Sequence, residues 1–254
     1  MGMIICHAKR FIFLKTRKTA GTSFEILLSK YTAPEDVVTP IAPSDEAIRA
    51  SLGYRGPQNY LARPKADMDF EFADRTEVQY RNHIEAAKVR FIMGQELFDA
   101  YLKVSIIRNP FDSAVSWYFW ERSRSGPTSQ EDFRRWLIQE FAKRTEIQAA
   151  YVRNIRPNPG FFASNRTITH IGGKTAVDVM IRYEKFEADI AAFAERVGLP
   201  GSLYREFGNI RAKGSYRPAS ATAATMFTGF EEGKDLILSI FAEEIDTYQY
   251  TLGT

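Results

Sequence analysis

Arg10-Phe11-Ile12-Phe13-Leu14-Lys15-Thr16-Arg17-Lys18-Thr19-Ala20-Gly21-Thr22-Ser23 changes character twice. Arg10 to Lys15 is an apolar, aromatic-rich run of strand length. Arg17 to Ser23 is a short polar turn. Beyond it Phe24, Ile26, Leu27, Leu28 and Tyr31 mark the inner side of a helix. A strand that feeds a helix through so short a turn places that turn at the strand's carboxyl end, where open α/β sheets bind ligands. The helix start within the turn brings free N–H groups and a dipole that favour an anion. Gly21 permits close backbone approach, Thr22 and Ser23 add hydroxyls, and Lys18 adds a mobile cation. The turn is not a Walker A loop, because GxxxxGK[ST] places its lysine after the last glycine. By itself it also suits an ordinary strand–helix turn with a surface lysine.

The same grammar recurs downstream. Lys103 to Arg108 is a second buried strand, followed by Asn109 and Pro110, a helix cap and a first-turn proline. That helix runs through Val115, Trp117, Tyr118 and Trp120. Arg108 ends the strand and offers a planar fork for phosphate, Ser116 offers a hydroxyl, and Asp112 sits in the first turn. Taken alone, Arg108 equally suits a pairing with a nearby carboxylate. A further amphipathic helix covers about 129–144, and Asn158-Pro159-Gly160 reads as a turn. Val177 to Tyr183 is a third strand, and the helix after it ends at Gly198 and Pro200. Residues 211–217 form a basic loop, and a last helix carries Leu236, Ile237, Ile240, Phe241 and Ile245. Strands followed repeatedly by helices predict an α/β fold, a single domain over 1–254 with a mainly parallel sheet covered on both faces. Residues 32–80, punctuated by five prolines, read as a substrate-side insertion.

Composition narrows the function. A net charge of +3 is too small to argue for nucleic acid, and no recognition motif accompanies it. It suits attraction of a polyanionic small molecule. The single cysteine, Cys6, rules out an intramolecular disulfide and fits a reducing compartment, so the expectation is cytoplasmic. No apolar run is long enough for a membrane span, and no signal peptide is visible. His7, His83 and His170 are scattered, which makes a zinc site improbable.

The two strand–helix turns together carry a resemblance. Phe13 to Ser23 resembles the 5′-phosphosulfate loop of sulfotransferases. It is most similar to the branch with the Golgi carbohydrate enzymes, the heparan sulfate 2-O-sulfotransferases and their bacterial relatives. Arg108-Asn109-Pro110-Phe111-Asp112, then Ser116-Trp117-Tyr118, resembles that family's 3′-phosphate motif, an RNPxD segment followed by SxY. Tyr183-Glu184, the Gly-Leu-Pro helix end and the final helix with Asp246 and Tyr250 are similar as well. The resemblance implies a P-loop NTPase-like three-layer α/β/α fold that uses 3′-phosphoadenosine 5′-phosphosulfate and neither metal nor ATP. It implies that Lys18, Thr19, Gly21, Thr22 and Ser23, in a loop shared with Arg17 and Ala20, hold the 5′-phosphosulfate. Arg108 and Ser116 hold the 3′-phosphate, and Arg211, Lys213, Ser215, Tyr216 and Arg217 close over the nucleotide.

Sulfuryl transfer is an in-line displacement that needs positioning, charge stabilisation and a base. Lys18 is expected to neutralise the leaving oxygen. His83, in Tyr80-Arg81-Asn82-His83-Ile84, is the candidate base, since imidazole titrates near neutrality and relatives carry a histidine at a comparable place. Glu25, Glu71 and Glu96 are the carboxylate alternatives. The acceptor is expected to be a hydroxyl, on a carbohydrate, met by residues 32–80 and by Trp117, Trp120, Arg122 and Arg124. The rival readings are a P-loop kinase and a non-catalytic nucleotide- or glycan-binding protein on the same scaffold.

Overall fold

The computed structural model describes residues 2–62, 78–123, 128–152, 165–210 and 216–253. In chain order the elements are β1 (Ile4–Cys6), β2 (Phe11–Leu14), α1 (Gly21–Ser29), β3 (Val37–Val38), α2 (Pro43–Ser51), β4 (Leu61–Ala62), β5 (Val78–Gln79), α3 (Ala86–Met93), α4 (Gln95–Ala100) and β6 (Leu102–Ile107). They continue as α5 (Pro110–Arg122), α6 (Gln130–Val152), α7 (Arg166–Thr169), β7 (His170–Ile171), β8 (Lys174–Thr175), β9 (Val179–Arg182), α8 (Phe186–Val197), α9 (Leu203–Gly208), α10 (Ala223–Met226) and α11 (Glu231–Tyr248). The chain divides into two compact units, one of 1–107 with 165–212 and one of 108–164 with 213–254.

The first unit holds a five-stranded sheet in the order β3-β1-β2-β6-β9. The mainly parallel sheet that was expected carries one reversed strand, so it is mixed. β2–β6 and β6–β9 are parallel, whereas β1 runs antiparallel to both β2 and β3. The physical reason is a hairpin. The apolar run before His7 is itself a strand, and the turn at 7–10 is too short for a crossover, so β1 must return antiparallel. Arg10 takes φ 52 in that turn, and its N–H donates to the His7 carbonyl at 3.3 Å.

Both faces of the sheet are buried, and the strand period of two divides them. Ile4, Cys6, Phe11 and Phe13 face one core cluster with Phe24 and Leu28 of α1 and Ile190, Phe193 and Val197 of α8. Met3, Ile5, Ile12 and Leu14 face another with Ala86, Val89 and Ile92 of α3 and Phe98 of α4. This is why β2 reads as an unbroken apolar run, and it leaves helices on both faces of the sheet. Burial pushes the Cys6 thiol up to about 12, so Cys6 acts as a small core hydrophobe. The proline-rich stretch after Thr32 supplies β3, which joins the sheet, and α2, which sends Arg49 into the core.

The second unit is helical where described. Phe111, Val115, Tyr118 and Phe119 of α5 pack with Phe133 and Trp136 of α6, Phe227 and Phe230, and Ile237 and Phe241 of α11. Gly233 is required there, because a Cβ on it would lie 2.2 Å from the Phe230 ring. The helix expected over about 129–144 starts at Gln130 and extends to Val152. The turn expected at Asn158-Pro159-Gly160 lies outside the described residues. Among the described residues no helix is long and apolar enough to cross a membrane.

Candidate active site

The first unit gathers candidate site residues at the carboxyl end of β2. The loop between β2 and α1 is tied down at successive residues. Lys15 is buried, and its ammonium donates to Glu25 Oε2 at 2.9 Å. The Thr16 hydroxyl donates to the Ile106 carbonyl of the neighbouring strand and meets the Thr19 hydroxyl at 2.9 Å. The Arg17 N–H donates to Asn165 Oδ1 at 2.9 Å, and Asn165 Nδ2 donates back to the Arg17 carbonyl at 3.3 Å. Lys18 and Ala20 both adopt left-handed backbone, with φ 61 and 60. Left-handed residues other than glycine are uncommon and cluster at ligand sites.

Ala20 is the N-cap of α1 and makes no side-chain cap bond. The usual Ser, Thr, Asp or Asn would occupy the first N–H groups with its own oxygen. With alanine there, the start of a nine-residue helix keeps its dipole end suited to an external anion. Gly21 answers a steric demand, since a Cβ on it would lie 2.8 Å from Lys15 Cγ and 3.4 Å from the Thr16 carbonyl oxygen. Thr19 and Ser23 are buried, and Arg17, Lys18 and Thr22 are half-buried. These are the features a phosphate-sized anion needs, and they fit the 5′ end of the expected donor.

His83 reaches the root of this loop. It sits in a turn with φ 54, and its Nδ1 lies 2.9 Å from the Lys15 carbonyl oxygen. A carbonyl can only accept, so Nδ1 carries the hydrogen and Nε2 keeps its lone pair. Burial chiefly lowers the imidazole pKa to about 3, aided by the fields of Lys15 and Arg17, against the raising effect of the Lys15 bond. The ring is neutral at pH 7. Of the carboxylate alternatives, Glu25 is fully buried between Lys15 and Arg49 Nη2, the latter at 3.1 Å. It is committed to the core and out of reach of an acceptor. Glu96 is exposed in the first turn of α4, and Glu71 lies outside the described residues. His7 and His170 are engaged elsewhere, His7 Nδ1 with the Tyr101 hydroxyl at 2.9 Å and His170 Nδ1 with the Thr169 hydroxyl at 2.9 Å.

The second unit gathers charged side chains at the start of α5. Asn109 caps the helix, accepting from the Phe111 N–H at 3.0 Å, with Pro110 at the first position. Asp112, in the first turn of α5, gathers arginines. Arg108 Nε donates to Asp112 Oδ2 at 2.6 Å and Arg217 Nη1 pairs with Oδ1 at 2.6 Å. Burial raises the Asp112 pKa, but the two guanidinium charges and their hydrogen bonds outweigh it, and the carboxyl is held below its ordinary value. Ser116 lies one helical turn beyond Asp112, on the same side of α5. Tyr216 is exposed, while Arg211, Lys213 and Ser215 lie outside the described residues.

Some residues expected to meet an acceptor have internal partners. Trp117 Nε1 and Trp136 Nε1 donate to the two oxygens of Glu121, each at 2.7 Å. Trp120 packs edge-on against Trp117. Arg122 pairs with Asp132 at 2.9 Å, and Arg124 lies outside the described residues. Sequence reasoning missed Asn165, Lys15, Arg49 and Glu121. Asn165 is 148 residues from Arg17, and no local pattern announces such a tether.

The profile described as the sulfotransferase family matches residues 1–251, so the chain belongs to the sulfotransferase family. A crystal structure of a sulfotransferase from Alicyclobacillus acidocaldarius is 16% identical over 95% of this chain and 98% of that one, with a TM-score of 0.36. No curated protein matched the chain. Family membership makes the protein a sulfuryl transferase acting on a hydroxyl acceptor.

Proposed function

We propose that the protein transfers the sulfuryl group of 3′-phosphoadenosine 5′-phosphosulfate to a carbohydrate hydroxyl, with His83 as the base. The observation that carries the reading is the bond from His83 Nδ1 to the Lys15 carbonyl at 2.9 Å. It brings an imidazole with an open Nε2 to the root of an anion-suited loop.

The donor supplies an activated sulfuryl group on a phosphate leaving group. Thr19, Gly21, Thr22 and Ser23, with the first N–H groups of α1, hold its 5′ end, and Arg17 and Ala20 shape the loop around it. Lys18 neutralises charge as it grows on the oxygen that leaves sulfur. Arg108, Ser116 and Arg217 hold the 3′-phosphate through charge-assisted hydrogen bonds, together with Arg211, Lys213, Ser215 and Tyr216. His83 Nε2 accepts the proton of the attacking acceptor hydroxyl, so a sulfate ester, the 3′,5′-bisphosphate and one proton are the products. Its low pKa makes the free imidazole a weak base, and the negative charge of bound donor offsets the Lys15 and Arg17 fields that depress it.

The direct test is incubation with the donor and a panel of oligosaccharides, in EDTA, read by mass spectrometry. The expected result is acceptor carrying one added sulfuryl group, with turnover lost in Lys18→Ala and His83→Ala. A His83→Ala variant with near-native turnover would remove the base assignment. Failure of the donor to react with any hydroxyl acceptor would overturn the donor assignment.

A further inference from the structure

Lys15 stands at the junction of three contacts. Its ammonium meets Glu25 Oε2 at 2.9 Å, in a pair whose side chains are 5% and 0% exposed. Its stem packs beneath the first residue of α1, where a Cβ on Gly21 would come within 2.8 Å of Lys15 Cγ. Its carbonyl accepts from His83 Nδ1. The pair is anchored further down, because Glu25 Oε1 also takes Arg49 Nη2 at 3.1 Å and the Thr39 hydroxyl at 3.4 Å. Thr39 Oγ1 in turn accepts from the Met3 N–H at 2.6 Å, which ties the cluster to β1.

A buried ion pair adds little net stability over well-packed apolar side chains, and it is best attested as a device that fixes one geometry. Here the geometry it fixes includes the carbonyl that touches the imidazole. His83 itself occupies left-handed backbone, a conformation that persists only where surrounding contacts hold it.

We infer that Lys15 is a positioning residue for His83: its ion pair with Glu25 locks the Lys15 backbone, and the Lys15 carbonyl selects the imidazole tautomer with Nδ1 protonated and Nε2 open. The consequence for turnover rests on His83 being the base; the contact itself does not.

The test uses the full chain with 15N-labelled histidine and long-range proton–nitrogen spectra at neutral pH. His83→Gln identifies the His83 signals among the three histidines. Lys15→Met keeps the stem and leaves Glu25 its Arg49 partner, while Lys15→Arg keeps the charge. In the native protein His83 is expected to show a protonated Nδ1 and an unprotonated Nε2. In Lys15→Met the two tautomers are expected to mix. Its kcat is expected to fall about tenfold or more, as small misplacements of catalytic groups do, with affinity for 3′-phosphoadenosine 5′-phosphate changed less than threefold. Lys15→Arg is expected to recover the native tautomer. An Nε2-protonated ring in the native protein overturns the inference without recourse to any variant. So does a Lys15→Met protein that folds and keeps a pure Nδ1 tautomer. If instead His83→Ala retains turnover, the base assignment fails while the spectra still decide the contact.

Discussion

Arg108 and Asp112 close on each other across the first turn of α5, Nε to Oδ2 at 2.6 Å and Nη2 to the same oxygen at 2.5 Å. The other oxygen of Asp112 takes Arg217, from a loop 105 residues further along the chain (217 − 112). One carboxylate therefore holds two guanidiniums in place.

This pairing has an acid signature. The folded pKa of Asp112 lies below its ordinary value of 3.8, so the unfolded chain binds the proton more readily. The stability that Asp112 contributes is complete above pH 3.8 and is lost as pH falls through the lower folded value. Denaturant unfolding across acid pH is expected to show this loss in the native protein and its absence in Asp112→Asn. Asp112→Asn should also be less stable at pH 7, since Arg108 and Arg217 then lose the carboxylate they share.

His83 titrates in the opposite chemical sense with the same pH slope. Its folded pKa of about 3 lies below the ordinary 6.5, so between these values the unfolded chain holds a proton that the folded protein lacks. Stability is expected to fall as pH drops below 6.5, approaching about 1.4 kcal/mol per pH unit for one proton. His83→Gln should remove that component. Saturation with 3′-phosphoadenosine 5′-phosphate should raise the His83 pKa in an NMR titration, because bound anions offset Lys15 and Arg17.

Gly21→Ala tests the steric demand at the helix start. The added methyl meets Lys15 Cγ at 2.8 Å, and overpacking of this kind costs about 1–3 kcal/mol. Thermal unfolding is expected to show that loss, and binding of 3′-phosphoadenosine 5′-phosphate is expected to weaken with it.

Asn165→Ala removes two bonds to the Arg17 backbone. At about 1 kcal/mol for each neutral hydrogen bond, the protein should lose roughly 2 kcal/mol of stability. Nucleotide affinity should fall several-fold, while Asn165→Asp, which keeps the acceptor for the Arg17 N–H, should lose less.

Much of the backbone around the candidate site was legible because its signals are local. The β2–α1 turn, the Asn109-Pro110 cap and the Gly198 stop each lie within a few residues of the element they punctuate, and they dictate backbone geometry directly. The mixed sheet was not legible, because Ile4–Cys6 is too short to announce itself as a strand, and its direction follows from a four-residue turn. Likewise Lys15 reads as a strand end and Glu25 as one residue of an amphipathic helix. Only folding shows that they share a buried pair with Arg49, whose helix lies in a stretch that reads as irregular. Arg108 could be read as a phosphate ligand or as half of an ion pair, and the structure pairs it with Asp112.

The most direct measurement is calorimetric titration with 3′-phosphoadenosine 5′-phosphate in EDTA, with adenosine 5′-phosphate as the comparison ligand. Metal-free binding is expected, tighter for the ligand with the 3′-phosphate. Arg108→Ala should weaken that ligand by about thirtyfold, roughly 2 kcal/mol for lost charge-assisted bonds, and leave adenosine 5′-phosphate unchanged. Equal binding of the two nucleotides, or no binding of either, would contradict it.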